Sequence, residues 1–313
     1  MHPAFSVIFL TTLTGAGQGL FLALYSTEIA GALHFVPTPG GKDFFVVGSL
    51  ISLVLSGLGL IASFFHLGHP ERAWRSAAMW RTSWLSREVI VLPVFMVAVF
   101  LYGIGHYAQS GGTLALGAFA TILSVALFIC TGMIYACIKF MQEWASPLTV
   151  VNFFLLGCAS GFTLATAFAA FTAENLVMAY GIAAMTFTAL GLATRIASLV
   201  RNSRLKFKSS LQSAIGIHHP RIAQMSQGLM GGSFNTREFF HGRTKAFLRS
   251  IKWTFLVMAF ALPLLLLASG LFLSSATLLC GAFIIQYGGL IAERWFFFAQ
   301  ANHPQNLYYQ TIS

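Results

Sequence analysis

Eight apolar runs, each long enough to cross the hydrocarbon core of a bilayer, leave this chain few folds to choose from. They lie at about 5–33, 44–67, 88–107, 114–140, 149–172, 175–199, 252–271 and 276–298. A core of about 30 Å takes roughly 20 residues of α-helix, and inside it every backbone N–H and C=O must be paired within the chain. The runs are continuous, whereas barrel strands read as alternating segments of about ten residues. With 57% apolar and 8% charged residues, a fold exposed to water on all sides would not stay in solution. The expectation is an all-α integral membrane protein, one domain over 1–313, built as a bundle of eight transmembrane helices with a long cytoplasmic loop between helices six and seven. The last two runs are separated at Ser269, Gly270, Ser274 and Ser275, where small residues allow a tight turn. The first run follows Met1-His2-Pro3 without a basic leader and is too long for a signal core, so it is expected to remain as a helix.

Charge then sets the orientation. With eight spans the two termini share a side with the loops after spans two, four and six, and of 18 Lys and Arg residues all but Lys42 fall there. The opposite loops are short, with Lys42, Asp43 and Glu174 as their main charges. The positive-inside rule places both termini in the cytoplasm of a bacterial inner membrane. The net charge of +10 therefore belongs to one face, where it serves topology and attraction to anionic membrane lipids. It does not indicate nucleic acid, because the basic residues lie at membrane boundaries and no recognition motif accompanies them.

Charged and polar groups at membrane depth are costly and point to function. They are Gln18 inside span one, Glu28 near its outer end, Glu88 opening span three, and the Glu293-Arg294 pair near the inner end of span eight. His66 closes span two and is followed by His69 and Arg72. Imidazole titrates near neutrality, so it can hydrogen-bond a quinone carbonyl and pass the proton that accompanies electron transfer. His66, Arg72, Glu88, Arg294 and Gln18 are the expected quinone-binding set. None of the nine histidines lies mid-span, and a membrane b-type haem commonly needs two there. No haem is expected in this chain, and no metal. Cys130, Cys137, Cys158 and Cys280 lack metal-ligand spacing and read as small packing residues. A secondary transporter is the reading from another class. It is disfavoured by the absence of an internal repeat and of a matched pair of broken helices.

The segment 201–251 is too long for a simple helix connection in a bundle. It interleaves basic residues with Phe207, Ile215, Met225, Phe234, Phe239, Phe240 and Phe247. Such a composition predicts a docking surface for a cytoplasmic protein, with Phe234, Asn235, Arg237, Phe239, Phe240 and His241 at its centre and their apolar parts buried against that partner.

The sequence His66-Leu-Gly-His-Pro70 with Arg72-Ala73, followed by Leu85-Ser-Arg-Glu88 at the opening of the next span, resembles the DMSO reductase membrane anchor family. Eight spans of this total length fit that family along the whole chain. The resemblance implies a four-cluster ferredoxin-like iron-sulfur subunit and a molybdopterin catalytic subunit as partners, holding the iron-sulfur clusters and molybdopterin. It implies ubiquinone or menaquinone as the partner in the membrane. His66 matches the family histidine linked to quinol, and Glu88 an acidic residue at the start of the next span. DMSO-reducing members turn the loop after span two to the periplasm, whereas the charges here turn it to the cytoplasm. The stretch Ser233 to Gly242 and the tail Ala301 to Asn306 are similar to the sulfite-oxidising branch. The implied role is to pass electrons from sulfite oxidation to quinone. Anchors of DMSO, polysulfide or tetrathionate reductases, and a purely structural anchor, are the alternatives.

Overall fold

The computed structural model describes residues 1–35, 42–226 and 234–310. Among them all regular structure is helical, and eight helices are long and apolar enough to cross a membrane. They are α1 (Phe5–Ala32), α2 (Lys42–Phe64), α3 (Trp84–Tyr107), α4 (Thr113–Ala136), α5 (Pro147–Thr172), α6 (Glu174–Ser203), α7 (Lys245–Phe272) and α8 (Ala276–Ala299). Local chemistry fixes several starts. The side chain of Ser83 accepts from Ser86 N, so α3 begins at Trp84 and not at Glu88. Ser146 caps α5, where Pro147 occupies the first turn without losing a hydrogen bond. Ser275 caps α8 just after the expected turn at 273–275.

Two helices form the centre. In their most apolar stretches α1 is 67% buried and α5 72%, against 33–39% for the other six, which places α1 and α5 inside a ring of the rest. Their contact is backbone on backbone, because Gly15 and Gly19 of α1 meet Gly157 and Gly161 of α5. A methyl group at Gly161 would overlap the backbone of Gly19. Gly161→Ala is therefore expected to force the two central helices apart, costing about 3 kcal/mol, the upper end for an overpacked core. Thermal unfolding of the purified protein in detergent measures this. Gly68→Ala, where a methyl group meets nothing within 4 Å, should leave the midpoint unchanged.

The seventh span departs from a regular helix. It contains a wide π turn at Val257–Ala261, followed by Pro263, which has no N–H to donate. Gly289 of α8 lies directly on the backbone of Met258 and Ala259 in that turn, so the bulge and the glycine together bring α7 and α8 close. The span also begins earlier than its apolar run suggests. Thr244 caps it, its side chain accepting from Phe247 N, and the basic stretch Lys245–Lys252 is its first two turns.

Both termini lie at one end of the bundle, where the Met1 ammonium donates to Ala301 O at 2.9 Å. There the chain builds a cap. Tyr308 Oη donates to Ala214 O at 2.5 Å, Gln224 N to Gln310 Oε1 at 3.1 Å, and Asn306 Nδ2 to Phe239 O at 3.1 Å. His2 N donates to Glu238 O at 2.9 Å. The connection after α6 contains two short helices, Leu211–Ile215 and Phe234–Glu238, and the tail straps it to the bundle. Cys130 and Cys158 are buried as small packing residues, but Cys137 follows the end of α4 and is exposed.

Candidate functional site

Gln18 from α1, Glu88 from α3 and Arg294 from α8 line one small cavity on the terminus-bearing side of the membrane interior. Thr11, Thr12, Thr14, Thr131 and Ser160 add hydroxyls to its wall, and Leu92, Phe128 and Phe153 close it. Because α3 starts at Trp84, Glu88 sits just past the first turn, toward the end of the helix whose dipole favours a carboxylate. It accepts a hydrogen bond from Thr131 Oγ1. Gln18 donates from Nε2 to Ser124 O at 2.9 Å, which pins its amide. The cavity measures about 30 Å³, room for one or two waters and not for an aromatic ring.

Arg294 reaches the cavity as part of a buried ion cluster. Glu293 lies between two guanidinium groups, with Arg195 Nε 2.7 Å from its Oε1 and Arg294 Nε 2.9 Å from its Oε2. All three are buried. Arg294 lies 3.9 Å over the Phe153 ring, and Arg195 5.4 Å over that of Phe255. In the sequence Arg195 stands only among the orienting charges. Its position eight residues inside the end of α6, at about 1.5 Å per residue, is the signal that marks it as buried. Thr131 and Ser160 carry no such signal, since threonine and serine recur through every span. Beyond the cluster a second polar hollow includes Glu143, Asn152, Ser198 and Arg201 and leads toward the end of α6.

His66 and Arg72 are not in this cavity. The structure ends α2 at Phe64, so His66 lies in the following turn. It is exposed along one side and makes no hydrogen bond to any described residue. Partial burial of the ring pushes its pKa below the usual imidazole value, which keeps it neutral at physiological pH. Arg72 belongs to the exposed 3₁₀ segment Pro70–Ala77, 3.8 Å from Glu71. His69 also pairs with Glu71, at 3.0 Å. Trp74 and Trp80 are exposed beside these arginines, the composition of a membrane-interface belt. The five expected residues thus form two groups, three buried around a water-sized cavity and two on the turn above the membrane boundary.

Glu28 occupies the opposite end, where its Oε1 lies 3.4 Å from His106 Nε2 and both side chains are largely buried. His106 stacks on Phe45 with centroids 4.2 Å apart. Between this pair and the Glu88 cavity, Phe21 packs edge-on against Phe95 and Tyr102 at 5.7 and 5.3 Å. All three rings are at most 1% exposed, so a dry aromatic layer separates the two polar ends.

The expected docking residues divide as well. Arg237 is exposed. Phe239 stacks on His303 at 3.8 Å, and Phe240 meets Tyr309 edge-on at 6.2 Å. These two rings therefore bury against the chain's own tail and not solely against a partner. An exposed aromatic ring takes the nearest flat surface, and the tail supplies it. His241 is partly buried, which lowers its pKa, as does the neighbouring N-terminal ammonium. The side chains of Phe234 and Asn235, and Ser233 with most of the glycine-rich stretch before it, lie outside the described residues. Among the described residues no cluster of His, Cys, Asp or Glu has the makings of a metal site.

The chain is 53% identical over 326 aligned positions, all of both chains, to a membrane-anchor relative from Allochromatium vinosum that bears the name of a sulfite dehydrogenase subunit. It is 33% identical to the anaerobic dimethyl sulfoxide reductase protein YnfH of Escherichia coli over 129 positions, 39% of this chain and 44% of that one. Residues 1–300 match the family described as DMSO reductase anchor subunit. Eight spans, a strapped face at the terminus-bearing end and a match running through nearly all of them have one reading: this multi-pass membrane protein belongs to the DMSO reductase anchor subunit family.

Proposed function

We propose that this chain anchors a sulfite-oxidising molybdoenzyme complex to the bacterial inner membrane and is where its electrons meet quinone. The single observation that carries the reading is the full-length likeness to a sulfite dehydrogenase subunit, over all eight spans and the cap. A molybdopterin subunit would oxidise sulfite with water to sulfate, releasing two electrons and two protons. A four-cluster iron-sulfur subunit on the terminus-bearing face would carry the electrons to quinone, ubiquinone or menaquinone, which takes up two protons to become quinol.

The division of residues suits this chemistry. A quinone ring does not fit the interior cavity, so its head group is assigned to the membrane boundary beside His66 and Arg72. There a neutral imidazole donates a hydrogen bond to one carbonyl and Arg72 supplies positive charge for the reduced oxygen. Glu88, with Gln18, Arg294 and the water their cavity accommodates, holds and passes a proton from the same side. The aromatic layer of Phe21, Phe95 and Tyr102 supports uptake from that side alone. No haem takes part in this scheme, so the purified chain is expected to lack b-type absorption.

Orientation is testable in intact cells with a membrane-impermeant maleimide, in a background where the exposed Cys137 and the other native cysteines are replaced. Glu174→Cys should react from outside. Arg243→Cys and Gln305→Cys should react only after the cells are opened. Outside labelling of the last two would place the strapped face in the periplasm and favour a reductase of the DMSO type.

A further inference from the structure

At the terminus-bearing end an open groove of about 350 Å³ lies between the turn after α4, the segment after α6 and the tail. Phe140, Phe207, Leu211 and Leu307 give it apolar surface, and Lys208 and His303 stand on its rim. Phe140 and Phe207 are 57% and 55% exposed, an unusual outlay of aromatic surface outside the spans. The walls are already held in place. The tail is fixed by Tyr308 on Ala214 and by Asn306 on Phe239, and the His303 ring by its stack on Phe239. A ligand meeting a pre-ordered groove loses little ordering entropy.

Charge says what kind of ligand. The stretches that build the groove and its surroundings, 138–142, 201–226 and 301–310, contain six basic residues, Lys139, Arg201, Arg204, Lys206, Lys208 and Arg221, and no Asp or Glu. Position separates a protein from a lipid. The groove begins past the last residues of the spans that lead to it, Ala136 of α4, Ser203 of α6 and Ala299 of α8, so it faces water beyond the membrane. We propose that this groove seats an acidic segment with apolar side chains, belonging to the cytoplasmic electron-donating subunit. The proposal rests on the anchor reading above. It moves the main docking contact from Phe239 and Phe240, which are engaged within the chain, to the hollow they help to support.

The test uses the assembled complex with a photoreactive phenylalanine analogue at Phe207. Irradiation should join this chain to the iron-sulfur subunit, identified by mass. Adducts only to lipid, only to a second copy of this chain, or none at all from an intact complex would overturn the proposal. Lys206→Glu combined with Lys208→Glu should lower retention of the soluble subunits on salt-washed membranes at least fivefold, since such contacts are screened by salt. Arg249→Glu, away from the groove, should not. Equal release by both variants would show a diffuse charge effect and no site. If the unaltered chain carries no molybdenum or iron-sulfur subunit, the anchor reading fails first, a result distinct from a missing crosslink within an intact complex.

Discussion

His66→Ala lowers sulfite-to-quinone turnover about 100-fold, the lower end for losing a positioned acid-base group, and leaves sulfite oxidation with a soluble artificial acceptor unchanged. The split follows from position. His66 lies in the turn after α2, away from the helix contacts and without a hydrogen bond to any described residue, so its removal leaves the fold intact. Its pKa is lowered by partial burial. The imidazole is therefore neutral above about pH 6.5 and protonates as pH falls below its lowered value. Wild-type quinone turnover should decline on that acid side while artificial-acceptor turnover does not. His66→Ala should abolish this difference between the two profiles. Steady-state rates with a short-chain quinone and with the artificial acceptor, measured on one preparation, check both points. Equal pH profiles for the wild-type and variant quinone reactions would remove His66 from the site.

Glu88→Gln lowers the same quinone turnover about 30-fold, within or just below the range for general acid-base groups, with little change in KM for quinone. Glutamine keeps the size of the side chain and an oxygen that accepts from Thr131 Oγ1, but it cannot carry a proton. The cavity it shares with Gln18 and Arg294 is too small for the quinone ring, so the loss should appear in kcat. A large rise in KM at constant kcat would mean that Glu88 binds the head group directly. Glu88→Asp should recover part of the rate, because a carboxyl remains although its reach is shorter.

How much of this is legible in the sequence depends on the range of the interaction. Eight spans follow from length and hydropathy alone, and all eight are present. Their ends move where a cap or an amphipathic turn outweighs apolar content. Ser83 starts α3 four residues before its run, and Thr244 starts α7 on a basic stretch. Gln18, Glu88 and Arg294 can be picked out because polar groups at depth are rare, but their meeting at one cavity depends on how α1, α3 and α8 pack. Arg195 is hidden by its sign, since counting positive charges for orientation treats a buried arginine like a boundary one. The stack of Phe239 on His303 joins positions 64 apart in sequence, and no local pattern announces it. The central glycine contact of α1 with α5 is equally silent, because 29 glycines offer too many candidate pairs.

Quinone reduction by the purified complex, with and without this chain, tests the central claim most directly. Sulfite is supplied, and quinol formation is followed beside artificial-acceptor reduction, first for the complete complex in lipid vesicles and then for the soluble subunits stripped from it. Quinone reduction should require the chain and return when it is added back, while the artificial-acceptor rate stays the same throughout. Quinol formed at the same rate by the stripped subunits, or a chain that purifies free of any molybdenum-containing partner, would contradict the account.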